Sequence, residues 1–249
     1  MSKRRGPLGT LLIGLAMTLA ACGGGSSPES SPTETSTVAT SQKTPAPLGA
    51  GQEELEAGPH VLDLLAREQV GDGPGPAGLP KIELTVPEGW FNFKGISVGK
   101  GPDLPQRAFV FFWDVAQVYP TPCKWKGKPM VDPGPDVEGL ASALAAQPLR
   151  HATARTDVEL AGFDGKYLEL SVPDDVDILN DCDEGYFESW TAHGWGSDRF
   201  QQGPGQVDRI WILDVNGARL VIDAAYLPEA SRQDRAELEN VVNSIRFLD

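Results

Sequence analysis

Six acidic side chains, Asp174, Asp175, Asp177, Asp181, Asp183 and Glu184, crowd one short stretch after Pro173. That density of oxygen donors is what a hard cation such as Ca²⁺ takes. The spacing departs from an EF-hand loop, because Leu179 stands where a third ligand belongs and no Gly follows at the turn position. A solvated acidic loop is the expected reading, and Asp174, Asp175, Asp177, Asp181 and Asp183 are the calcium candidates should it hold an ion. No other metal set is spelled, since neither a CxxC nor an HxxxH spacing occurs.

The nucleophile motifs fail in turn. The chain has no GxSxG, no HExxH and no P-loop. Ser97-Val98-Gly99-Lys100 spells SxxK, but that pair needs a helix start to bring the amine to the hydroxyl, and here it follows a predicted strand with no SDN or KTG partner. His193 with Ser189 or Asp198 can be drawn as a triad, as can many combinations in a domain of this size. No catalytic residue and no cofactor are expected.

Binding is better served. Tyr186, Phe187, Trp190, Trp195 and Phe200 lie close together in the sequence, and aromatic and Arg side chains dominate binding hot spots. In a strand, Tyr186 and Trp190 share one face and Phe187 the other, so part of the set must be core, and Phe187 is assigned there. Trp195 sits between glycines, where it plugs a sheet edge or contacts a ligand. With His193 and Arg199 it makes the candidate recognition patch.

Three Cys complete the inventory. Cys123 and Cys182 form the one pair expected to bridge in an oxidising compartment. Cys22 has another use. Lys3, Arg4 and Arg5 precede an apolar run over residues 8–19, too short to span a bilayer and suited to a signal-peptide core. The run ends in Leu19-Ala20-Ala21-Cys22, which resembles the bacterial lipobox, where a Cys after small residues is diacylated and becomes the new N-terminus. The expected location is the extracytoplasmic face of the cell membrane, with Cys22 as the lipidation site; two acyl chains supply the stable anchor that one would not.

These residues must be positioned by the rest of the chain. Residues 1–21 read as signal peptide, residues 22–58 as a disordered Gly/Ser/Thr/Pro-rich tether, and residues 59–249 as the folded domain. The full chain carries a net charge of −14. Loss of the signal removes three cations and no acid, which leaves the domain still more acidic and excludes both nucleic acid and anionic lipid as electrostatic partners.

Within the domain, residues 60–70 place Val61, Leu64 and Leu65 at helical spacing. Residues 81–86 and 90–98 read as strands, and residues 107–119 as an apolar strand in mid-sheet covered on both faces. Asp136 caps a helix that must stop before Pro148. Asp164-Gly165 and Asn216-Gly217 are hairpin signals, residues 185–191 read as another strand, and Ser231 with Asp234 opens a closing helix. Tight hairpins impose antiparallel pairing, so the fold class is α+β, an antiparallel sheet of hairpins flanked by helices.

Val86-Pro87-Glu88-Gly89-Trp90 and the terminal Val241-Val242-Asn243-Ser244-Ile245 resemble the PsbP-like α/β/α sandwich. The Pro122-Cys123 step after a long strand and the Gly203–Asp208 loop (GPGQVD) resemble uncharacterised actinobacterial lipoproteins, a resemblance that brings no activity with it. The expected function is therefore a membrane-anchored, non-catalytic binding or scaffold module with a protein or small-molecule partner in the envelope. The alternative is a cell-envelope hydrolase or transferase with an unrecognised site. A deep pocket holding His or Ser would favour the enzyme, and a shallow groove with exposed aromatics would favour binding.

Overall fold

The computed structural model describes residues 44–64, 79–193 and 198–248. The signal peptide, Cys22, most of the tether and Trp195 lie outside them. The described residues form an α+β fold dominated by antiparallel strands.

A large sheet runs in the order Thr156–Leu160, Phe163–Ser171, Val207–Val215, Ala218–Tyr226, Ala108–Trp113, Ser97–Lys100, Trp90–Phe93 and Gln52–Glu54, with His151–Ala152 also paired to Phe163–Ser171. A second sheet joins Ala46–Pro47, Gly58–Leu62, Lys81–Val86 and Arg246–Leu248, and a third joins Arg199–Phe200, Glu188–Ala192 and Val115–Val118. The expected mid-sheet strand is there: Phe109, Val110 and Phe112 are fully buried between neighbours on both sides. It stops at Asp114, a charged, poorly β-forming residue, and the chain passes to the third sheet at Val115. That step carries the run from the main core to the site.

Two helices pack on this framework. Asp136 accepts the amide of Gly139 at 2.6 Å and starts Val137–Ala145, whose Leu140, Ala141 and Leu144 are buried. Ser231 and Asp234 form the expected capping box on Arg232–Asn243, which buries Leu238, Val241 and Val242. The chain then continues into the strand Arg246–Leu248 rather than closing on the helix.

Four expectations are corrected. Residues 58–62 form a strand, not a helix, because His60, Leu62 and Leu64 are all buried with a period of two once His is counted as a core residue; residues 65–70 are outside the described set. The fold also begins before residue 59. Asn92, fully buried, donates from Nδ2 to the carbonyls of Gly49 and Gly51 at 2.8 and 3.0 Å and to Glu53 Oε1 at 2.7 Å, holding residues that read as tether.

The first hairpin turns at Ala161-Gly162, both with positive φ, rather than at Asp164-Gly165. Gly165 is needed inside the sheet, where a Cβ would sit 2.1 Å from the carbonyl oxygen of Ile212. Finally, residues 90–98 contain two strands, Trp90–Phe93 and Ser97–Lys100, folded on each other at Lys94-Gly95. Ser97 and Lys100 thus lie on a strand, with Ser97 buried and Lys100 paired to Glu237 at 2.8 Å, and the SxxK spelling has no helix to act on.

Candidate binding groove

The acidic loop is built by its own side chains. Asp177 caps the one-turn helix Ile178–Asp181, accepting from Asn180 N at 3.2 Å and from Asn180 Nδ2 at 2.7 Å. Asp181 accepts the amide of Asp177, and Asp183 accepts that of Lys126 at 2.8 Å. The Lys126 amide and the Lys124 and Lys126 ammoniums outweigh desolvation and hold Asp183 below the usual carboxylate range. Glu184 pairs with Lys126 at 2.8 Å. Asp177, Asp181, Asp183 and Glu184 are thus committed to separate local bonds, and among the described residues no group of three or more His, Cys, Asp or Glu is placed to hold a metal ion.

Cys123 and Cys182 are joined, with their Cα atoms 4.4 Å apart. The bridge is buried in a small satellite core with Val172 and Phe187, Phe187 being fully interior as its alternation implied. It fastens the acidic loop to the turn that leaves the third sheet.

Against this loop lies an open groove of about 650 Å³. Its walls include Leu104, Leu179, Tyr186 and Phe200, with relative exposures of 60%, 80%, 46% and 37%. These are four of the six large apolar side chains left exposed among the described residues, and the other two, Val131 and Leu149, lie elsewhere. Tyr186 and Phe200 meet edge to face at 5.8 Å. Asp174, Asp175 and Asp177 complete the lining on one side and Gln201, Gln202 and Gly203 on the other.

Behind the groove is a buried charge cluster. Asp208 is fully buried and receives Arg150 Nη2 at 2.5 Å, Arg199 Nη2 at 3.0 Å, Gln201 Nε2 at 3.0 Å and Gln206 Nε2 at 2.5 Å. Arg199 also binds Asp223 at 2.5 Å and lies over the Phe109 ring, and Arg150 donates to Ser189 Oγ at 2.6 Å. Burial pushes the Asp208 carboxyl up, but the two guanidiniums prevail and hold it below its ordinary range. Asp223, desolvated and beside Asp208, is pushed up to about 6 despite Arg199. Gln201 belongs both to this cluster and to the groove lining, so the cluster fixes the groove's wall.

Of the expected patch of His193, Trp195 and Arg199, one member is turned inward. Arg199 is 3% exposed and spent on buried carboxylates; His193 is exposed, its amide bonded to Asp114 O; Trp195 is not among the described residues. His60 and His151 stand on strands of the other two sheets. Among the described residues of this stretch, Tyr186 and Phe200 are the surface aromatics, while Trp190 is core.

The sequence reading missed Arg150, Asp208 and Asp223. A usable signal was present, because Asp208 and Asp223 each sit on an apolar alternating face of their strands. In the hairpin register Ile210 opposes Asp223 and Asp208 opposes Ala225, which makes the two acids diagonal neighbours.

Glu188 adds a pH-dependent element. It is 7% exposed, its Oε2 has no hydrogen-bond partner, and burial, reinforced by Asp198, pushes its pKa to about 7. Asp198 accepts a hydrogen bond from the Tyr119 hydroxyl. A carboxyl raised from 4.5 to about 7 on folding favours the fold fully below pH 4.5, and that contribution is lost as pH rises through 7. Glu188→Gln should therefore raise stability at pH 8 by about 1–2 kcal/mol and flatten the pH 5–8 segment of a urea-unfolding series. Equal pH slopes for both proteins would refute this.

No protein-family model matches the chain, and no curated protein matches it. Among solved structures the chain is similar to LpqN, "involved in cell envelope biogenesis of Mycobacterium tuberculosis", at 11% identity and a TM-score of 0.32, over 80% of this chain and 91% of that one.

Proposed function

We propose that the protein is a lipid-anchored binding module of the extracytoplasmic membrane face that acts without catalysis, seating apolar side chains of a protein partner in the groove beside the acidic loop. The gathering of four of six exposed large apolar side chains into one groove carries this reading, since isolated surface apolar residues need no explanation and a contiguous set does. Its volume is that of many small-molecule pockets, but the groove is open to solvent rather than enclosing, which favours a few side chains of a partner over a buried small molecule. The lipobox-like junction at Cys22 supports the anchor, and the helices laid on an antiparallel sheet support a PsbP-like variant of the α+β fold.

Cys22→Ser should release the protein from membranes or leave it unprocessed; normal processing with full membrane retention would place the anchor elsewhere. For the groove, the protein is purified from detergent-solubilised envelope as wild type, Leu179→Ser and Leu149→Ser. A partner retained by wild type and Leu149→Ser but lost from Leu179→Ser supports the assignment. Retention by all three overturns it.

A further inference from the structure

We infer that the segment seated in the groove is basic, with Lys or Arg flanking the apolar residues that enter it. The inference rests on the groove reading and deepens it. Among the described residues that line the groove, Asp174, Asp175 and Asp177 are the formally charged ones, and none is Lys, Arg or His. Asp177 is engaged by Asn180, whereas Asp174 and Asp175 are exposed and have no cationic partner among the described residues. The neighbouring acids differ: Lys124 and Lys126 neutralise Asp183 and Glu184. Positive charge is thus supplied to the outer part of the loop and withheld from the groove's rim.

An apolar floor with an unneutralised carboxylate rim repels acidic and anionic-lipid ligands and steers cationic ones. The whole chain, at −14, adds to the same field. Because the rim is exposed, its charges govern selection and association more than tight holding, and salt should weaken them.

The test uses a random peptide library displayed on phage and selected against the folded, disulfide-intact domain, with binding of the enriched peptides measured by fluorescence anisotropy. The expected winners carry Lys or Arg beside Leu or aromatic residues. Their affinity should fall roughly ten-fold with Asp174→Asn/Asp175→Asn, as loss of two rim pairs gives, should fall with added salt, and should vanish with Leu179→Ser. Winners that are uncharged or acidic, need Leu179 and ignore the Asp174 and Asp175 substitutions would overturn the charge inference and leave the groove standing. If no enriched peptide depends on Leu179, the groove reading falls and this inference with it. Self-association of the domain that is lost with Leu179→Ser would make a second copy the occupant and overturn the basic segment.

Discussion

Replacing Asp208 with Asn is expected to destabilise the protein by about 3–5 kcal/mol, a fall in melting temperature of roughly 10 °C. The reason is the asymmetry of buried charge. Arg150 and Arg199 are both buried, and Asp208 is the carboxylate they share. Asn keeps one acceptor oxygen but removes the charge and turns an amide donor toward the guanidiniums, so Arg150 is left without its anionic partner and Arg199 with Asp223, itself pushed up to about 6. An uncompensated guanidinium in that setting costs far more than the pair contributes over an apolar replacement. Urea denaturation at pH 7 measures the loss; a change under 1 kcal/mol would mean that the cluster is solvated. Because Gln201 is bonded to Asp208 and lines the groove, the variant should also speed amide exchange along residues 199–204.

The second large effect is expected at Cys123 and Cys182. The bridge closes a loop across a sequence separation of 59 residues, for which chain entropy gives about 4 kcal/mol, and measured losses for native bridges run from about 2 to 5. A Cys123→Ala/Cys182→Ala variant should melt roughly 10 °C lower. Its consequence is local as well as global. Ile178–Asp181 is a single helical turn with no buried residue of its own, held by the bridge and the small core around Phe187. Exchange protection should thus drop most at residues 178–186 and least in Val207–Val215. A uniform loss across both segments would show that the groove wall does not depend on the bridge.

What the sequence revealed depended on whether a signal was local. The capping box at Ser231, the N-cap at Asp136 and the Asn216-Gly217 turn each involve residues within one turn of chain, and all three stand as expected. Asp164-Gly165 misled because a glycine has two uses. The sheet needed Gly165 for close approach to Ile212, and the turn moved to Ala161-Gly162. The strand at His60 was hidden by treating an imidazole as polar, although its Nε2 reaches Glu56 O and the residue packs as core.

The site was half visible. The acidic loop, the aromatic crowding and the Cys pair were all legible, yet which aromatics reach the surface depended on register. Trp190 pairs with Val118 and turns inward against Trp113, whereas Tyr186 precedes the strand and stays out. Leu104, the remaining exposed wall, comes from a loop about seventy residues earlier, and nothing local announces it.

A protein partner in the groove can be caught in place. The most direct test places a photo-activatable cross-linking residue at position 179 of the full-length anchored protein in its own envelope, with position 149 as the matched exposed control on another surface. A discrete protein adduct is expected from position 179 that is absent from position 149 and suppressed by Phe200→Ser. Adducts of equal yield from both positions, or from position 149 alone, would contradict occupation of the groove.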